Sequence, residues 1–152
     1  MLAAVSASAV AVFLSLVAGL AGSIQVAVSG TFGRRIGVLE AAAFGAIFAA
    51  LILVALVALA SRSLGGIAAG LGEPPWLWLN GVMSAIVVGG ITYAGPRIGT
   101  FATIALVIAA QLFMAVLIDA FGMFGLERIP IDWARISGLV LLAAGAALVL
   151  KR

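Results

Sequence analysis

Residues 38–62 read VLEAAAFGAIFAALILVALVALASR, and this stretch decides the solvent of the whole chain. After Glu40 no side chain carries a charge until Arg62. A helix needs roughly 20 apolar residues to cross the hydrocarbon core of a bilayer. The same pattern recurs on either side. Apolar runs cover about Ala9–Phe32, Val38–Ala60, Trp76–Ala94, Thr100–Phe121 and Ala134–Leu150, with the charges gathered between them. Of the 152 residues, 66% are hydrophobic and 9% charged. Soluble domains have about 45–50% and about 25%. Eight basic and five acidic side chains cannot cover so much apolar area in water, so lipid must do it.

No run alternates polar and apolar residues with period two, which excludes a β-barrel. Backbone groups in lipid need partners within their own segment, so the runs are helices. The expected fold is all-α: one transmembrane domain over residues 1–152, with five helices at about 9–32, 38–60, 76–94, 100–121 and 134–150. The first run carries small residues around Ala18–Gly22, as a cleaved signal would. It lacks a basic leader and stays apolar to Phe32, so a retained first helix is expected.

The chain has no cysteine and no histidine. This removes disulfides, thiol chemistry and imidazole catalysis. No nucleophile–base pair, metal cluster or phosphate loop can be assembled from its motifs, so no enzyme activity, metal or cofactor is expected. A net charge of +3, spread over several loops, offers no basic face for nucleic acid.

Trp76 and Trp78 open the third run, and Trp133 precedes the fifth. Indole rings favour the headgroup level, so they read as anchors, with stacking on a substrate as the other reading. Ala41, Gly45 and Ala49 form a small-residue stripe on the second run; Gly138 and Gly145 lie two turns apart on the fifth. Such residues let helices approach closely in lipid, either within the chain or at a dimer seam.

Five spans put the termini on opposite sides. One side holds Arg62, Arg128 and Arg135; the other holds Arg34, Arg35, Arg97, Lys151 and Arg152. The excess of basic residues leans towards a cytoplasmic C-terminus, by a margin small enough to allow both orientations. Many transporters combine two inverted halves around a midplane site. A single five-span unit lacks its inverted partner, and a second, oppositely oriented copy would supply it.

Gln25, then Gly33-Arg34-Arg35-Ile36-Gly37 and the Ala41–Gly45 segment, are followed in order by Gly95-Pro96-Arg97-Ile98-Gly99, Gln111, Ile118-Asp119-Ala120-Phe121-Gly122 and Gly125-Leu126. This ordered set resembles the YdcZ (DUF606) family of the drug/metabolite transporter superfamily, over nearly the whole chain. The resemblance implies half of a ten-helix inverted-repeat transporter in the bacterial cytoplasmic membrane. Such halves are thought to occur as single chains, oppositely oriented pairs or fused halves. Two positions depart from the family pattern. An Asn often found shortly after the first-helix Gln is replaced around Ser29, and the His that commonly follows the Asp is Ala120.

The expected function is therefore a small secondary transporter working by alternating access as an antiparallel homodimer, or paired with an oppositely oriented paralogue, on a small-molecule substrate. The alternatives are a non-transporting membrane subunit that stabilises a larger complex and a dimeric channel. Polar groups inside a span are costly and mark candidate sites. Gln111, mid-way along the fourth run, and Gln25 are candidates for substrate contact or for an interhelical hydrogen bond. Tyr93 and Asn80 on the third run are further substrate candidates. Asp119 and Glu40 are candidates for ion coupling. Glu40 opens its helix, where the dipole favours an acid, beside Arg34 and Arg35. Asp119 ends its helix, against the dipole, and could pair with Arg128 or Arg135. Gly138 and Gly145 are the candidate dimer seam.

Overall fold

The computed structural model describes the backbone of residues 2–150 and the side chains of residues 8–150. Lys151 and Arg152, counted in the charge comparison, lie outside the described residues. Six α-helices run in chain order: α1 (Leu2–Ile36), α2 (Val38–Ser61), the short α3 (Gly65–Ala69), α4 (Leu79–Ile98), α5 (Thr100–Phe121) and α6 (Trp133–Leu150). Single 3-10 turns at Gly70–Gly72, Pro75–Trp78 and Met123–Gly125 complete the connections. Among the described residues there is no strand. Five segments are long and apolar enough to cross a bilayer: Ser8–Ile36, Val38–Ser61, Pro75–Ile98, Thr100–Phe121 and Trp133–Leu150.

Besides an earlier start of α1, two junctions between spans differ from the sequence reading. The stretch 33–37 was expected as a loop, yet α1 stays helical through Ile36 and only Gly37 breaks it. Likewise α4 runs through Pro96 to Ile98, and Gly99 alone joins it to α5. The two joints share a pattern, Gly-x-Arg-Ile-Gly, and a geometry: Gly37 has φ 107° and ψ 149°, Gly99 φ 87° and ψ 153°. Residues with a Cβ are essentially barred from that region. The helix that follows each joint starts by bonding back to it. The Ala41 amide donates to the Gly37 carbonyl and the Thr103 amide to the Gly99 carbonyl, each at 3.0 Å.

Contacts divide the chain into two units, residues 27–96 and residues 1–26 with 97–152. In the 27–96 unit, the end of α1 crosses the end of α4 at very short range. A Cβ on Gly30 would lie 2.9 Å from Pro96 Cδ, and one on Gly33 2.9 Å from Thr92 Cγ2. Thr92 is fully buried there, and its hydroxyl donates to the Val88 carbonyl at 2.7 Å. Pro96 costs α4 one backbone hydrogen bond, to the Thr92 carbonyl. Because the loss falls in the last turn, the helix survives, and the ring fills the space that Gly30 leaves open. Phe32 meets Phe44 edge to face (centroids 5.4 Å apart), and Phe44 stacks on Phe48, closing α1 against α2. The Trp78 indole N–H donates to the Gly70 carbonyl at 3.2 Å, tying the start of the third span to the preceding connection.

In the other unit, α5 and α6 form an antiparallel hairpin. Gly122 caps α5 in the left-handed conformation. The Ile129 amide donates to the Asp119 carbonyl at 3.0 Å and Arg128 Nε to the Ala120 carbonyl at 3.3 Å, so the connection folds back over the helix end. Asp132 Oδ1 accepts the Arg135 amide hydrogen at 2.8 Å, as the N-cap of α6.

Candidate functional site

A hydroxyl in lipid can satisfy itself on its own helix. Ser15, Ser23 and Thr31 do so on α1, each donating to the carbonyl four residues earlier. Thr103 does the same on α5, reaching the Gly99 carbonyl at 2.8 Å. The two glutamines behave differently. Gln25 on α1 and Gln111 on α5 are exposed on the surface of the chain and form no hydrogen bond with any described residue. Gln111 lies mid-way along its span, with Ala109, Ala110, Leu112 and Phe113 beside it. An amide left unpaired in hydrocarbon is costly, so this side chain must meet water, a ligand or another chain.

Asn80 is exposed at the start of α4 and Tyr93 is 54% exposed near its end. They lie in the 27–96 unit, as does Glu40, whereas Gln25, Gln111, Asp119, Gly138 and Gly145 lie in the other. Glu40 forms no ion pair with Arg34 or Arg35. Its carboxylate instead folds over Gly37, filling the space a Cβ there would need. An acid in the first turn of α2 complements the positive end of the helix dipole.

Of the two partners open to Asp119, the structure selects Arg135. Arg135 Nη1 lies 3.2 Å from Asp119 Oδ2, and each side chain is about one-third exposed. Arg128 is turned to the backbone of Ala120 instead. The Asp119–Arg135 pair closes one end of a groove of about 330 Å³, whose walls are Leu112, Ala115, Val116, Gly138 and Leu139. A second groove of about 490 Å³ lies along α5 and α6, with Gly138 and Gly145 in its floor and Phe101, Ala105 and Ile108 opposite. A Cβ added to either glycine would meet nothing within 4 Å. The small stripe of α6 thus borders the open groove beside α5, with room for a Cβ at both glycines. Gly45 of the α2 stripe has the same room, while Ala41 is buried.

The close crossing of Gly30 and Gly33 with α4 escaped the sequence reading. Its signal was available in the recurrence of Gly-x-Arg-Ile-Gly at 33–37 and 95–99. Among the described residues no three metal-ligating side chains gather.

The YdcZ family, described as "Putative inner membrane exporter, YdcZ", matches residues 10–148. No curated protein and no solved structure shows significant similarity to the chain. A family match of that extent, on a chain whose helices can cross a bilayer five times, leads to a plain conclusion: the chain belongs to the YdcZ family of the drug/metabolite transporter type and is a multi-pass protein of the cell membrane.

Proposed function

We propose that this chain is one half of a secondary transporter that works by alternating access as an antiparallel dimer, with itself or with an oppositely oriented paralogue. The observation that carries this reading is the unpartnered Gln111 amide at mid-span. In an antiparallel pair the two midplanes coincide, so two Gln111 side chains at equal depth line one central cavity, where inverted-repeat transporters hold their substrate. Gln25, in the same unit as Gln111, is the second candidate for substrate contact, and Tyr93 and Asn80 are the candidates within the 27–96 unit. Gly138 and Gly145 form the seam, a reading supported by the open space a Cβ would have at either glycine. Asp119, paired with Arg135, is the first candidate for ion coupling in this reading. Glu40, folded over its own helix start, is the second carboxylate available to a cation.

The topology is tested with the natural absence of cysteine. Ser63→Cys, in the connection between α2 and α3, is expected to react with a membrane-impermeant maleimide from both faces of sealed vesicles if the chain pairs with itself. Reaction from one face alone removes the homodimer and leaves the paralogue as partner. Absence of transport by either pairing in reconstituted vesicles, against any gradient of organic solutes, overturns the transporter reading.

A further inference from the structure

The last turn of α1 carries Arg34 and Arg35 at the point where the apolar span ends. Arg34 Nη2 donates to Thr31 Oγ1 at 3.2 Å. Arg35 has no hydrogen-bond or ionic partner among the described residues. The nearest acid in sequence, Glu40, is folded over Gly37. Arg35 closes the end of a groove of about 410 Å³ whose remaining wall is Ala27, Val28, Thr31 and Phe32. Phe32 is held in place from behind by Phe44. From Ala27 to Arg35 the wall runs about 12 Å along the helix, at 1.5 Å per residue. This is an open, shallow apolar face about as long as the upper part of an acyl chain, with one unpaired guanidinium at its end.

We propose that this groove holds an anionic phospholipid, with the headgroup phosphate on Arg35 and one acyl chain along Ala27, Val28 and Phe32. Three features favour this occupant. A guanidinium matches a phosphate with paired donors, which makes it a better phosphate ligand than an isolated point charge. The charge and the apolar wall are contiguous, as the two parts of a lipid are. And the groove lies at the end of a span long and apolar enough to cross a bilayer, with Ala27, Val28, Thr31 and Arg35 exposed on the surface of the chain. Arg34, held on Thr31 in the groove wall, adds a second positive charge beside Arg35. A soluble anion would use the arginine alone and gain nothing from the wall.

The test uses the purified full-length chain in neutral-detergent micelles doped with dioleoyl phosphatidylglycerol or, at equal mole fraction, dioleoyl phosphatidylcholine. Binding is read by native mass spectrometry and by the melting midpoint. Phosphatidylglycerol is expected to remain bound and raise the midpoint, and phosphatidylcholine to do neither. Arg35→Gln is expected to weaken phosphatidylglycerol binding about fivefold, the loss expected from one basic residue at an anionic surface. Ala27→Trp fills the groove at an exposed position without changing charge, and is expected to weaken binding as well. Arg62→Gln, at the opposite end of α2, is expected to bind as the unaltered chain does. Unchanged binding by both Arg35→Gln and Ala27→Trp overturns the site. An equal loss in Arg62→Gln replaces it with diffuse attraction of lipid to basic residues. Equal stabilisation by sodium phosphate, with Ala27→Trp unaffected, replaces it with a free-anion site. If Arg35→Gln does not fold, Ala27→Trp decides.

Discussion

Gln111→Leu is expected to abolish transport or ligand binding while leaving the chain folded. Interhelical hydrogen bonds in membranes average about 0.6 kcal/mol, and Gln111 makes none with the described residues, so stability should change by no more than about 1 kcal/mol. The measurement is solute flux in reconstituted vesicles beside a thermal melt of the same preparation. Normal flux would make Gln111 a lipid-facing accident of this helix. A chain that fails to fold would assign it a structural bond to a second copy, and Gln25 and Tyr93 would become the next candidates. In the same assay Asp119→Asn is expected to free transport from an ion gradient, because its amide carries no charge to balance a cation or to hold Arg135. Retained dependence on the gradient would make the Asp119–Arg135 pair a clamp on the α5–α6 hairpin and nothing more.

The second large effect is a contrast between glycines. Leucine at Gly138 or Gly145 enters open space in the single chain, so helix content should be kept. If these residues form the seam, the double replacement shifts the protein from dimer to monomer in detergent, read by light scattering. An unchanged oligomer returns them to the lipid-facing surface. Leucine at Gly33 has no such room, since even a Cβ lies 2.9 Å from Thr92 Cγ2. Overpacking of this kind destabilises by about 1–3 kcal/mol for a few extra methylene groups, so Gly33→Leu should lower the melting midpoint with the largest shift of the glycine series. Small residues on α1 and α6 look alike as letters; only their surroundings separate a crossing already made from one still open.

That contrast shows how far the sequence reaches. The five spans were legible because hydropathy over about 20 residues reports a bulk property of the bilayer. Helix ends were less so. The Gly95-Pro96-Arg97 triplet reads as a stop, since proline removes a backbone donor, yet Pro96 sits in the last turn, where its ring packs against Gly30. That compensation comes from a residue far away in sequence, and no local pattern carries it. The partner of Asp119 was open for the same reason. Arg128 and Arg135 are both within reach along the chain, and the choice falls to Arg135 because the fold of residues 122–132 turns Arg128 onto the Ala120 carbonyl. Gln111 was identifiable as costly from its neighbours alone. Its lack of a partner required the packed helices to be known.

The one-residue joints at Gly37 and Gly99 set which side of the membrane can tolerate insertion. An extra residue taken into helix at either joint turns the following span by about 100° and shifts it by 1.5 Å. At Gly37 that would carry the buried Ala41 out of its contact and bring the half-buried Ala42 and exposed Ala43 in. The connections at 62–74 and 122–132 impose no such gearing, because each is eleven residues or more of irregular, 3-10 and, in the first, short α-helical backbone. Epitope tags, protease sites and reporter insertions therefore belong in those two connections, on one face of the membrane for a chain in a given orientation. The opposite face offers no equivalent position between its joined helices.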